Sequence, residues 1–173
     1  SDVALDAFNT FRIPARARHY LRVTDPAQLA AVAADPVLAA LPRLVLGGGS
    51  NLLIASAEVE ALVLHMGLMG KEIVGATDDA ILVRARAGEN WHAFVEWTLA
   101  QGLGGLENMA LIPGTVGASP IQNIGAYGAE VKDRFHALTV FDFADGKART
   151  MDAQACRFGY RDSVFKHGGF GGL

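Results

Sequence analysis

The chain has 173 residues, 51% of them hydrophobic, enough to bury a core as one domain or as two small lobes. A formal charge of -3 without any dense Lys/Arg run excludes an electrostatic footprint for nucleic acid or an anionic membrane surface, and no apolar run reaches bilayer length. The single cysteine, Cys156, excludes an internal disulfide framework and any multi-cysteine metal site. SDVALDAFNTF, at the start, has no basic region ahead of an apolar core, so a soluble cytoplasmic protein is expected.

The first third alternates short apolar runs with one helical pattern. HYLRV (19–23) reads as a strand, and Arg12, Arg16, Arg18 and Arg22 around it fit a solvated strand face better than a basic patch. In TDPAQLAAVAAD, Thr24 or Asp25 can cap a helix, and Pro26 sits where a first turn tolerates it. RLVL (43–46) and EALVLHM (60–66) follow as strands. With the helix between them, HYLRV and RLVL are expected to be parallel neighbours in a small βαβ unit, making residues 1–69 an α/β lobe.

From Gly70 the pattern changes. KEIVGATDDAILVRARAG holds two strand-like runs about a turn at Ala76–Ala80, which predicts a hairpin and the start of a second lobe over 70–173. WHAFVEWTLAQG predicts a helix with Trp91, Phe94, Val95 and Leu99 on one face and Gly102 at its stop. Trp91 and Trp97 are assigned to the core. FHALTVFDFADGKARTM predicts a hairpin around Asp145 and Gly146, and Asp152 is a helix cap for DAQACRFGYRDSVFK. HGGFGGL closes the chain without an element of its own, and truncation of a longer protein is the expected reason.

Two glycine-rich segments stand out. Leu44–Leu46 runs directly into Gly47, Gly48, Gly49, Ser50 and Asn51. Glycines there let consecutive amides turn into a concavity suited to phosphate oxygens, and Ser50 and Asn51 add side-chain donors. A Rossmann fingerprint fails, because Leu52 stands where a third glycine is needed; a P-loop fails, because no lysine follows. Alone, GGGSN also reads as an ordinary tight loop. Between Asn108 and Glu130 a second segment carries Gly114, Gly117, Gly125 and Gly128 with little charge, and Gln122 and Asn123 offer donors and acceptors beside Ala126. It reads as a loop approaching a ligand, or as a buried glycine-rich crossover between strands. Two such segments in one short chain favour a dinucleotide cradle.

NTF, GGGSNLL, LENMALIPGTVGASPIQNIGAYGAE and CRFGYRDSVFK, in that order, resemble the UDP-N-acetylenolpyruvoylglucosamine reductase family of bacterial peptidoglycan synthesis, over about Asn9 to Lys166. The resemblance implies an α+β fold: a two-lobed FAD-binding domain of the vanillyl-alcohol-oxidase (PCMH) type, with a small α/β lobe and a larger mixed α+β lobe. It implies that Gly47, Gly48, Gly49, Ser50, Asn51 and Leu52 lie along the FAD diphosphate. Pro113, Gly114, Thr115, Val116, Gly117, Ala118 and Ser119 would then line the path from adenine to flavin, together with Ile121, Asn123, Ile124, Gly125 and Ala126. The implied reaction has NADPH reduce FAD, after which a hydride passes from the flavin to the enolpyruvyl double bond of a UDP-sugar, UDP-N-acetylglucosamine enolpyruvate, giving UDP-N-acetylmuramate.

Arg161 matches the family's catalytic arginine, and a permanently cationic bidentate donor suits the negative charge that develops on the carboxylate. Tyr160 beside it is expected to shape the substrate pocket. Read from the residues alone, Arg161 is more simply an ion-pair partner for Asp133, Asp152 or Asp162; the resemblance is what favours catalysis. Cys156 and His167 receive no role. The family's proton-donating serine and a further acid belong to later segments that this sequence does not contain, and Ser163 is not a replacement. The substrate-binding C-terminal domain and the end of the second lobe are therefore expected to be missing, leaving a chain that holds FAD without full turnover. The alternatives are a FAD-dependent oxidase or dehydrogenase of the same fold with another substrate, and a cofactor-free, non-catalytic fragment.

Overall fold

A computed structural model describes residues 2–167; the glycine-rich end that follows His167 lies outside them. In chain order the regular elements are β1 (Val3–Ala4), β2 (Arg16–Val23), α1 (Ala27–Ala34), α2 (Pro36–Ala39), β3 (Arg43–Leu46) and β4 (Glu58–Met66). They are followed by β5 (Lys71–Ala76), β6 (Ile81–Ala85), α3 (Trp91–Ala100), β7 (Gly125–Ala126), β8 (Ala129–Glu130), β9 (Ala137–Asp142), β10 (Lys147–Asp152) and α4 (Ala153–Cys156). The architecture is mixed α+β, and among the described residues no helix is long and apolar enough to cross a membrane.

β1 to β4 form one sheet in the order β1-β2-β4-β3, with β2 and β3 both parallel to β4 and β1 antiparallel to β2. HYLRV and RLVL are therefore in one sheet and run the same way, but they are not neighbours: β4 lies between them. The reason is the run Leu62-Val63-Leu64, which is apolar on both faces and gains most from the central position. Val63 points into a core with Leu5, Ala17, Leu46 and Ile54, while Leu62 and Leu64 point the other way, onto Val23, Leu29 and Val32. A bulge between Ala17 and His19 resets the alternation of β2, so that Ala17 and Tyr20 face the first core and Leu21 and Val23 the second. Arg16 and Arg18 stay exposed, paired with Asp2 and with Glu58 and Glu60; Arg12 lies outside the strand, in a turn with φ 55°.

α1 begins as read, with the Asp25 carboxylate accepting the Ala27 N–H at 2.8 Å. It stops at Asp35 because that residue precedes Pro36 and is pushed to extended backbone, φ -83° and ψ 115°. There the Asp35 side chain accepts the Val37 and Leu38 amides and starts α2, an element the sequence pattern does not separate from the loop.

The two predicted hairpins form as β5–β6 and β9–β10, both antiparallel. Asn90 caps α3 through the Ala93 amide, and the helix ends in a Schellman turn: Gly102, at φ 75°, donates to Leu99 and Leu103 donates to Thr98. The buried face of α3 is Trp91, Phe94, Val95 and Thr98, and Leu99 is exposed instead, because positions one, four, five and eight of the helix share a side. That face packs on Met109, Val131, Val83 and Ala85. Phe141 and Phe143, from the second hairpin, join the core beneath α1, and the Arg43 guanidinium lies 4.7 Å from the Phe143 ring centroid. The second hairpin is thus packed on the first sheet rather than on its own sequence neighbours alone.

Candidate functional site

The chain leaves β3 at Leu46 and turns through 47–52 against the N-terminal loop. That loop is shaped by Asn9, which is buried: its Nδ2 donates to the carbonyls of Leu5 and Ile13, both at 3.0 Å, and its Oδ1 accepts the Ile13 amide at 2.9 Å. The loop lies so close that a side chain on Gly49, which has φ 69°, would collide with the Phe8 carbonyl. Thr10 Oγ1 donates to the Ser50 carbonyl at 3.1 Å. Glycine at 49 is thus dictated by packing as well as by conformation.

The second segment is held from behind by the approach to α3. The amides of Val116 and Gly117 donate to the carbonyls of Glu89 and Ala87, at 2.9 and 3.0 Å, and the Trp91 amide donates to the Gly114 carbonyl at 3.1 Å. Gly117 is a glycine because a Cβ there would sit 2.6 Å from the Ala87 Cβ. Glu89, buried beneath this ladder, accepts the Gly70 amide at 2.7 Å and the Lys71 ammonium at 2.8 Å. These bonds, Lys71 foremost, hold its carboxyl below the ordinary value of 4.5.

The two segments meet. A Cβ on Gly47 would stand 2.6 Å from Thr115 Oγ1, and one on Gly48 would stand 3.2 Å from Gly114 Cα. Between and beside them runs a cavity of about 430 Å³. The first segment lines it with Gly47, Gly48, Gly49, Ser50, Asn51 and Leu52; the second with Pro113, Gly114, Thr115, Gly117, Ala118 and Ser119, then Ile121, Gln122 and Ile124. Trp91 also borders it, although its body is core and its Nε1 donates to the Met109 carbonyl at 2.8 Å.

The two walls differ in chemistry. No hydrogen bond within the described residues uses the N–H groups of Gly48, Gly49 or Ser50, whereas those of 116–119 are all spent on protein carbonyls. The first segment therefore offers free amide donors, as a phosphate site requires, and the second supplies shape. Thr115 Oγ1 is buried and without a partner among the described residues, which leaves one further polar group for a bound molecule.

Four of the expected cofactor residues do not line the cavity. The Val116 side chain packs into the core with Trp91. Asn123, 1% exposed, is consumed structurally: its Nδ2 donates to the Gly159 carbonyl at 2.9 Å and its Oδ1 accepts the Lys132 amide at 3.0 Å. Gly125 and Ala126 belong to the short β7–β8 hairpin, and Gly125 is small because a Cβ would meet the Ala129 carbonyl at 2.5 Å.

Tyr160 and Arg161 also lie off the cavity lining, at the tip of a tight turn closed by Gly159 and Asp162, whose backbones exchange bonds of 3.0 and 3.2 Å. Both are exposed, and Arg161 is left-handed at φ 53°. No ion pair within the described residues holds its guanidinium: Asp162 is bonded to His167, Asp152 caps α4, and Asp133 accepts the Glu130 amide. The turn is tied to the second glycine segment at two points, by Asn123 and by Ser163, whose hydroxyl donates to the Ile121 carbonyl at 2.6 Å. Sequence reading set Ser163 aside as a catalytic substitute; its burial shows an anchor. It missed Lys166 as well, which borders the cavity. Cys156 is a fully buried core thiol.

Free amides on a glycine turn face a satisfied glycine-rich wall, an arrangement whose chemistry suits a phosphate group, and the chain belongs to the FAD binding domain family, whose pattern it matches over residues 17–152. Among individual relatives, it is 55% identical over 170 residues to the UDP-N-acetylenolpyruvoylglucosamine reductase of Burkholderia mallei (strain NCTC 10229), an alignment covering 98% of this chain and 49% of that protein. Against the same-named protein of Burkholderia multivorans (strain ATCC 17616 / 249) the identity is 54%, with 98% and 48% covered. The chain spans about half the length of the curated relatives it matches. In three dimensions it is similar to the crystal structure of UDP-N-acetylenolpyruvylglucosamine reductase (MurB) from Thermus caldophilus, with a TM-score of 0.73 and 26% identity, over 94% of this chain and 56% of that one.

Proposed function

We propose that this chain holds FAD in the cavity between 47–52 and 113–124, as the flavin-binding portion of an NADPH-dependent reductase that converts UDP-N-acetylglucosamine enolpyruvate to UDP-N-acetylmuramate. The observation that carries the reading is the pairing of unsatisfied Gly48–Ser50 amides with a close, glycine-lined wall. The identity to the Burkholderia reductases supports the choice of reaction.

When bound, FAD would supply hydride acceptance and donation; the protein's part is placement and electrostatics. The Gly48, Gly49 and Ser50 amides bind the diphosphate, and Thr115 Oγ1 gives the buried wall a polar contact. Arg161, on a turn pinned to Ile121 and Asn123, presents a cation free of protein carboxylates within the described residues, suited to the substrate carboxylate. Tyr160 lies beside it as a pocket wall. In this reading the lobes are 1–69 and 70–173 of a vanillyl-alcohol-oxidase type domain, NADPH is the hydride donor and the setting is cytoplasmic.

Titration with FAD tests it. Quenching of flavin fluorescence and an upward FAD-dependent shift in melting temperature are expected. A purified chain with no flavin absorbance and no thermal shift would overturn the reading.

A further inference from the structure

Among the described residues lining the cavity, Lys166 is the one with an ionisable side chain; every other wall residue is apolar, glycine, hydroxyl or amide. A diphosphate brings two negative charges into this space. Free amides supply partial charges only, so the full positive charge of the exposed Lys166 side chain, which borders this space, outweighs any one of them even after solvent screening.

The position of Lys166 is built. Ser163, 1% exposed, donates its hydroxyl to the carbonyl of the wall residue Ile121 and accepts the Phe165 amide at 3.2 Å, while its own carbonyl accepts the Lys166 amide at 3.2 Å. Phe165 is buried with Cys156 and Met151. The Lys166 ammonium donates to the Arg161 carbonyl at 2.9 Å. That partner is neutral, and an ammonium has two further donors. No carboxylate pairs with it within the described residues, since the nearby Asp162 is bonded to His167 at 2.7 Å.

We infer that Lys166 is a cofactor-positioning residue, pairing its ammonium with the flavin's diphosphate and, through the Arg161 carbonyl, coupling the occupied cradle to the turn that presents Arg161. This rests on the FAD reading above. It makes binding favour a flavin that carries a diphosphate over riboflavin, which lacks that charge.

The test compares FAD binding by this chain and its Lys166→Gln and Lys166→Arg variants at several salt concentrations, each variant first checked for an unchanged melting temperature without ligand. Lys166→Gln should weaken FAD about tenfold at low salt and flatten the salt dependence, while Lys166→Arg retains most of the affinity and the wild-type slope. Wild-type affinity in Lys166→Gln, or a loss with an unaltered salt slope, overturns the inference while leaving the flavin reading intact. Absence of binding by the wild-type chain overturns both.

Discussion

Gly48 faces Gly114 across the cradle, so near that a Cβ on Gly48 would stand 3.2 Å from the Gly114 Cα. Two turns far apart in sequence thereby form one seam, and alanine at 48 must push them apart by a few tenths of an ångström. Gly48→Ala is expected to cost about 1 kcal/mol of stability while weakening FAD disproportionately. Gly49→Ala is a different lesion, because φ is 69° and the Phe8 carbonyl occupies the Cβ position. It should cost about 3 kcal/mol or more. Thermal unfolding beside FAD titration separates the two; equal stability of both variants would refute the packing argument.

Glu89 links the start of β5 to the loop before α3, whose carbonyls hold the second glycine segment. Its carboxyl is held low mainly by Lys71, so its contribution is fully present above about pH 4.5 and is lost as pH falls through the lower folded value. Glu89→Gln should lower stability by about 1.5–3 kcal/mol near neutral pH. It should also flatten the acid limb of the stability profile, which denaturant melts at several pH values would record.

Asn123 and Ser163 anchor the Arg161 turn to one glycine segment. Removing the amide in Asn123→Ala should cost about 2–3 kcal/mol, and Ser163→Ala about 1–2 kcal/mol, since buried partners are left unmatched. Because both tie down the same turn, the double variant should lose less than the sum, by more than about 0.5 kcal/mol. Strict additivity in a double-mutant cycle would mean the anchors act separately.

Cys156 is buried, and burial, helped by Asp152, pushes its thiol up to about 11. Thiol reagents at pH 8 should leave the native chain unmodified and label it only after denaturation. Fast native labelling would show that the core around Met151 and Phe165 opens.

In a reductase carrying this domain, Arg161→Ala should retain bound flavin and lower turnover of the enolpyruvyl substrate about a hundredfold or more. Flavin content and kcat measured together decide it. Unchanged turnover removes Arg161 from the chemistry.

Local pattern was enough to recognise both hairpins, the Asp152 cap, the Gly102 stop and the two glycine segments, because each depends on residues within a few positions. The resemblance to the reductase family named the residues at 47–52 and 113–119, all of which except Val116 border the cavity. What the sequence could not reveal are pairings between distant positions. The order β2-β4-β3 follows from the two-faced burial of Leu62, Val63 and Leu64, which competes against the nearer βαβ pairing only once both cores exist. Asn123 looks like a donor to a ligand until Gly159 and Lys132 take its amide, and that the exposed Lys166 borders the cavity emerges only once Ser163 ties its segment to Ile121. By itself, then, the sequence determined where two glycine-rich turns would lie, because glycine's freedom and small size are local properties. Tertiary structure alone decided which donors remain free there, because a hydrogen-bonding group is available to a ligand only after every competing protein partner has been placed.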